Sequence, residues 1–489
     1  MHQVQLDEGD EQPAEDASPR PRGRRRAAWV VAGSVVALVG LLLAGQSLLD
    51  ARAAAHAARF DGVPGVLWPV EHLRARWHTT WGDPRTNAVR VRDVLVSGTV
   101  APDGTVTLTG WHLLTGTTAW TTDVALPQEQ RAALDRGAGA DFDGSIECLA
   151  SVGPGGRDAR AVCVVGPHQA GQHDDEAHDT RMVVVDRTGR VTAQRTVPEA
   201  YWTVRGEHVQ LATARRSGEQ ETFDVVEQTL DGDQVWRASV GPVRVLTDDE
   251  GMEGYQRGLA SEGPWTVLNT GSTAIALDED GRTVLEAETG PGTGARAVPG
   301  GALHVDHFGR ETPGRLLLAD GTPVGDPADP PYPLPLAVDD GSSSGLVLVQ
   351  SAETLQALDA TTGAEVWSAE QVSGWESSVV LEGVLYTRRS GGLAALDVRT
   401  GEELWRTSLT FLPWTVTTDG RSLVAAGDGS IAVLALDDGT VIDQQDAQEL
   451  LPDQQGPLSL ATSTLPSGVL LLQRLADFEG DHDDVWITG

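Results

Sequence analysis

The chain has no lysine: all 36 of its basic residues are arginine, against 71 acidic residues in 489, for a formal net charge of −35. Asparagine occurs only at Asn87 and Asn269. Both shortages fit the bias of a GC-rich coding sequence and carry no chemistry. The acid excess excludes a nucleic-acid binder, because neutralising phosphates requires a clustered Lys/Arg surface. Two cysteines are too few for a disulfide framework or for an all-cysteine zinc or iron–sulfur site. A phosphate loop, His-Glu-x-x-His, Gly-x-Ser-x-Gly and kinase signatures are all missing, and no catalytic triad is legible. Helical periodicity is almost absent, and so is any long apolar run but one. The length allows two to four ordinary domains or one large repeat architecture.

The one apolar run extends from Ala27 to Leu49, 23 residues without a charge. As a helix it measures about 34 Å at about 1.5 Å per residue, enough for a hydrocarbon core of about 30 Å. Arg20, Arg22, Arg24, Arg25 and Arg26 precede it, Asp50 ends it, and only Arg52 and Arg59 follow closely. This asymmetry predicts one transmembrane helix at 27–49, a disordered cytoplasmic tail at 1–26, and everything beyond residue 50 outside the cytoplasmic membrane. A cleaved signal peptide is the alternative, since Ala53 to Ala57 offers small-residue cleavage sites, although the run exceeds the usual apolar region of about 7–15 residues. No cysteine near the run is placed to carry a lipid. Residues 50–62 are rich in helix formers and read as a short stalk, stopped by Gly62 and Pro64.

Beyond residue 63 short alternating strands recur, punctuated by glycine. Around Trp414, itself read as a structural blade residue at the opening strand, four strands are legible, near 414–418, 421–426, 430–436 and 440–444, joined by Asp419-Gly420, Gly427-Asp428-Gly429 and Asp437-Asp438-Gly439. Asp-Gly between alternating runs is a hairpin signal, because a type I′ turn needs the positive φ that glycine adopts freely. The pattern Ala-x-Asp-x-x-Thr-Gly-x-x-x-Trp occurs twice, with Asp359, Gly363 and Trp367 in one copy and Asp397, Gly401 and Trp405, 38 residues on, in the other. Gly116 to Trp120 and Gly232 to Trp236 keep the same spacing. Turn glycines at 116, 189, 232, 281, 321, 363, 401 and 439 mark a period of about 40 residues, which is that of four-stranded blades that must stack to bury their faces. Each Trp offers a large flat surface between blades and an indole N–H in search of an acceptor, and each Asp can accept turn amides two residues on.

These units resemble the pyrroloquinoline-quinone-like propeller repeat with its tryptophan-docking motif, found in quinoprotein dehydrogenases and in the propeller lipoprotein of outer-membrane assembly. The motif is complete at Ala357 to Trp367 and Ala395 to Trp405 and partial elsewhere, and the resemblance is strong over about 350–445 and weaker over about 90–345. It implies an all-β fold, one β-propeller over 63–489 of four-stranded antiparallel blades, eight in number with seven as the alternative. The first strands, around Gly65 to Trp68, are expected to close the ring by pairing with Asp484 to Ile487. Quinone chemistry in that family uses adjacent cysteines, an Asn/Glu/Asp ligand set and a catalytic Asp. This chain has no adjacent cysteines and two scattered asparagines, so neither an enzyme nor a cofactor is expected.

Cys148 and Cys163 flank a Gly/Pro-rich turn at 153–158 and would face one another across a hairpin, which predicts a disulfide on the oxidising side of the membrane. His173, Asp174, Asp175 and His178, with His168, form the densest ligand cluster. They read either as a divalent-metal site or, more simply, as an exposed polar loop. The proline-rich stretch at 323–335 reads as a rigid connection between blades or as a docking segment. Taken together, the expected protein is a membrane-anchored extracytoplasmic propeller that binds or scaffolds envelope proteins. A ligand sensor acting through a membrane partner and a quinone-dependent dehydrogenase are the alternatives.

Overall fold

Alternating apolar residues between glycine-bearing turns produce antiparallel hairpins throughout. The computed structural model describes residues 46–47, 51–52, 55–60, 63–67, 70, 75–80, 88–101, 105–125, 146–153, 158–165, 179–198, 200–244, 257–289, 293–307, 314–325, 330–351, 354–370, 377–427, 429–446, 449–450, 460–465, 469–474 and 484–488. Apart from 46 and 47, the expected span at 27–49 lies outside them. Among the described residues no helix is long and apolar enough to cross a membrane. Met1–Ala55 and His56–Gly489 are separate units, and the second holds all of the strands.

The described strands form eight four-stranded sheets and one five-stranded sheet. Eight sheets succeed one another in chain order. Blade 1 covers 89–124, blade 2 146–198, blade 3 201–244, blade 4 257–288, blade 5 293–324, blade 6 332–370, blade 7 378–408 and blade 8 415–446. These eight are the sheets marked by the turn glycines. A closing sheet combines Ala75–Thr80 with Leu460–Leu465, Val469–Arg474 and Asp484–Thr488. In blade 8 the strands run Thr415–Thr418, Ser422–Gly427, Ser430–Ala435 and Val441–Asp446, within two residues of the sequence reading at each end. In most neighbouring pairs, as in blades 3 and 4 and blades 7 and 8, the first strands lie beside one another, which makes them the inner strands.

Ring closure uses a later segment than expected. Ala75–Thr80 pairs with Asp484–Thr488, with His78 opposite Trp486. Gly65 and Leu67 go elsewhere: the Leu67 amide donates to Thr418 O at 2.8 Å, and Thr417 Oγ1 donates to Gly65 O at 3.4 Å. Pro64 and Pro69 bracket that stretch and lack the N–H a ladder strand needs. The later segment also carries Trp77, which an outermost strand can dock on the next blade.

The described residues of 56–70 lie on blades 7 and 8. Phe60 and Val66 are buried with Leu381, Val416 and Leu423, and the Val70 amide donates to Asp419 Oδ2 at 2.9 Å. His56 Nε2 sits 3.0 Å from Glu382 Oε2. The helical character expected at 50–62 is present at 51–52 and 55–57.

A second segment covers the inner edge of blade 7: Leu336–Asp339 pairs in parallel with Ser378–Leu381, adding a fifth strand inside the first. At Gly65, whose φ is +84°, an added Cβ would collide with the Ala337 carbonyl oxygen, so the two inner segments meet at a residue that must be glycine. The core runs between blades, for example Leu348, Leu355 and Trp367 of blade 6 against Leu385 and Leu396 of blade 7.

Candidate functional site

The motif residues act as blade-to-blade locks. Trp120 Nε1 donates to Arg187 O of blade 2 at 2.9 Å, Trp367 Nε1 to Val398 O of blade 7 at 2.9 Å, and Trp405 Nε1 to Leu436 O of blade 8 at 3.0 Å. Each ring lies flat on the turn glycine of the next blade, Gly189, Gly401 and Gly439, where any side chain would strike it. Trp77 repeats the arrangement from the closing sheet, donating to Leu113 O at 2.8 Å beside Gly116. Trp236 covers Gly281, but its indole N–H finds no acceptor among the described residues. Asp359 Oδ1 accepts from the Thr362 amide and hydroxyl, both at 2.8 Å, and Asp397 Oδ1 repeats this with Thr400.

Between blades 2 and 3 an arginine does the same work. Ala193 occupies the Trp position of the spacing, and Arg195, two residues along the same strand face, sends Nη1 to Leu230 O at 2.7 Å beside Gly232. Nothing in the spacing signals this replacement. Cys148 and Cys163 stand directly opposite in the first hairpin of blade 2, Cα atoms 4.0 Å apart, and are bridged.

Other buried polar groups are also committed to the fold. His208 Nδ1 lies 2.7 Å from Glu227 Oε1, Gln210 Nε2 donates to Glu227 Oε2 at 2.6 Å, and Thr266 Oγ1 donates to Gln210 Oε1 at 2.7 Å, joining blade 3 to blade 4. Arg257 pairs with Glu221 at 3.1 Å, both side chains about nineteen-twentieths buried. Among the described residues no group of three or more His, Cys, Asp or Glu is arranged to hold a metal ion. His173, Asp174, Asp175 and His178 lie outside the described residues.

The residues present do not fit a quinone cofactor. The two cysteines are bridged across a hairpin instead of adjacent. The Asn269 amide is used up by Ala295, donating to its O at 2.8 Å and accepting from its N at 2.9 Å.

One region of blade 7 is different. Val384–Arg389 ends in two arginines before the Ser390-Gly391 turn. Leu385 packs toward blade 6 and Tyr386 toward blade 8, so alternation sends Arg389 to the blade 6 side and Arg388 to the blade 8 side. Arg388 Cζ stands 6.0 Å from the centre of the Trp414 ring, at the outer limit of a cation–π contact, and Trp414 is 54% exposed. It precedes the first strand of blade 8 and, unlike the docking tryptophans, covers no turn glycine of a following blade. Arg389 is only 9% exposed, and its Nη1 is buried without a hydrogen-bond partner among the described residues. Burial and the neighbouring Arg406 push its guanidinium down, against Glu403 and Glu370. Glu403 is already held by Arg406, with Nη2 to Oε2 at 2.6 Å. This end of blade 7 is opposite the Glu382-Gly383 turn on which His56 rests. Two adjacent arginines at a strand end are the sequence signal for this region, but Arg215-Arg216 in His208–Ser217 of blade 3 share it, so the sequence does not single the region out.

A family model described as outer membrane protein assembly factor BamB matches residues 351–474. Those residues are PQQ-like propeller repeats. The matched stretch takes in blade 6 from its second hairpin, blades 7 and 8, and two strands of the closing sheet. No curated protein matches the chain. Among solved structures, BamB of Moraxella catarrhalis is 16% identical over 85% of this chain and 100% of its own, with a TM-score of 0.35. Sqt1 of Saccharomyces cerevisiae is 12% identical over 85% and 98%, TM-score 0.38. The quinohemoprotein alcohol dehydrogenase of Comamonas testosteroni is 12% identical over 90% and 83%, TM-score 0.34. Identities and scores of this size carry nothing about the function of the PQQ-like blades here.

Proposed function

We propose that this is a single-pass protein of the cytoplasmic membrane, N-terminus inside, whose propeller is a non-enzymatic binding or scaffold module for envelope proteins. The observation that carries the reading is the division of labour among its polar and aromatic side chains. Trp77, Trp120, Trp367 and Trp405, together with Arg195, Gln210 and Glu227, are spent on holding blades together. Outside that set stand an exposed Trp414 with Arg388 Cζ 6.0 Å from its ring centre, and Arg389, the next residue of the strand, on the opposite face of blade 7. Trp and Arg are the residue types that dominate binding hot spots.

The anchor half of the reading rests on the uncharged run from Ala27 to Leu49 and the arginines before it. Partners for so acidic a propeller are expected to be basic overall or bridged by cations. Crosslinking in intact cells followed by mass spectrometry tests the proposal. Reproducible extracytoplasmic protein partners are the expected result, and a preparation that yields only small molecules overturns it.

A further inference from the structure

Arg389 is nine-tenths buried, and its Nη1 is buried without a hydrogen-bond partner among the described residues. Desolvating a charged group is unfavourable unless a counter-charge or a set of acceptors replaces the lost water. By contrast Arg257 has Glu221 at 3.1 Å, and Arg195 Nη1 has the Leu230 carbonyl at 2.7 Å. Among the described residues Arg389 has neither, and Glu370 and Glu403 act on it only through their fields. It is the last residue of its strand, on the blade 6 side of blade 7. The hydroxyls of Ser378 and Thr387, 2.9 Å apart, are buried on the same blade.

We infer that Arg389 is a recognition residue that receives a carboxylate from an acidic segment of a partner protein, with Trp414 and Arg388 taking an apolar neighbour of that carboxylate. The inference rests on the binding-module reading and names the chemistry its partner presents. A fork of five N–H donors suits a planar carboxylate, and in a dry setting such a bond is charge-assisted and short. The surrounding acidity argues for a peptide over a free anion. A net charge of −35 repels small anions in bulk, so affinity must come from contacts beyond the charge, and an exposed indole on the adjoining blade supplies one. The partner is then basic overall with a local acidic and apolar segment.

The test uses the full chain in nanodiscs, panned against a displayed library of random dodecapeptides. Enrichment of sequences that place Asp or Glu beside Leu, Phe or Trp is expected. Arg389→Met should abolish that enrichment and weaken a selected peptide at least tenfold, and Trp414→Ala should weaken it severalfold. Inorganic phosphate in millimolar excess should not compete. In the free protein Arg389→Met should raise the thermal midpoint, because it removes an unpaired buried charge, whereas a structural arginine would lower it.

No enrichment, enrichment unchanged by Arg389→Met, full competition by phosphate, or a lowered midpoint overturns the assignment. Crosslinking of wild type and Arg389→Met in cells separates this from the broader reading. Partners retained by the variant leave the scaffold standing and remove only the site, while no partner for either protein removes both.

Discussion

At the scale of single residues, the same side-chain type has opposite roles according to what lies beneath it. Trp367 is 7% exposed on Gly401 of the next blade, while Trp414 is 54% exposed with its Cδ1 edge against Gly427 of its own blade. Trp367→Ala should therefore cost about 3–5 kcal/mol, as for a large aromatic removed from a packed site. Trp414→Ala should stay within about 0.5 kcal/mol. Thermal and urea unfolding of the two variants beside wild type checks the contrast.

The turn aspartates give a second prediction. Hydrogen bonds from Thr362 hold Asp359 below the usual carboxylate range, and those from Thr322 and Thr440 do the same for Asp320 and Asp438. A carboxyl whose folded pKa is depressed contributes stability that is present above its unfolded pKa of about 3.9 and is lost as pH falls through the lower folded value. Burial pushes Glu262 and Asp339 the other way, so their contribution improves as pH falls through their raised values. Replacing Asp320, Asp359 and Asp438 by Asn should flatten the loss of thermal midpoint below about pH 4.

At the scale of elements, hairpins were legible because their turns carry a glycine at positive φ and blades show alternation, although the Asp-Gly turns are not the type I′ turns expected: among the described residues only Arg92 and Glu382 are non-glycines at positive φ. The four strands around Trp414 and the Cys148 to Cys163 pairing followed from local pattern alone. Segments that pair outside the repeat were not legible. Leu336–Asp339 follows the proline-rich stretch read as a connection or docking segment, and it turns out to be an inner parallel strand on blade 7. Parallel pairing leaves no adjacent hairpin to announce it.

The entry segment is the other case, since Gly65 and Leu67 meet Thr417 and Thr418 about 350 residues further along the chain. Because Phe60 is 5% exposed among Leu381, Val416 and Leu423, Phe60→Ala should cost about 3–5 kcal/mol. Gly65→Ala, at a positive φ and against the Ala337 carbonyl, should be at least as damaging. Limited proteolysis should then cut both variants within blades 7 and 8 sooner than wild type.

At the scale of the whole molecule, repetition made the architecture readable and the binding region hard to read. The described strands form nine sheets where eight blades were expected: each of the eight turn glycines marks one, and the closing sheet, assembled from segments at the two ends of the propeller chain, carries no such mark. Arg195 in place of a docking tryptophan and Arg389 without a partner among the described residues are departures from the repeat, visible only once the blades are stacked. External protease applied to spheroplasts should remove the propeller and spare the N-terminal tail, the outcome that the arginines before Ala27 require.

The central claim, that the propeller binds an envelope protein through the Trp414 end of blades 7 and 8, is met most directly by site-specific photocrosslinking in living cells. A benzophenone amino acid placed at Trp414 should give a discrete protein adduct, and the same probe at exposed Glu279 on blade 4 should not. Equal labelling at both positions, or none at Trp414, contradicts the account.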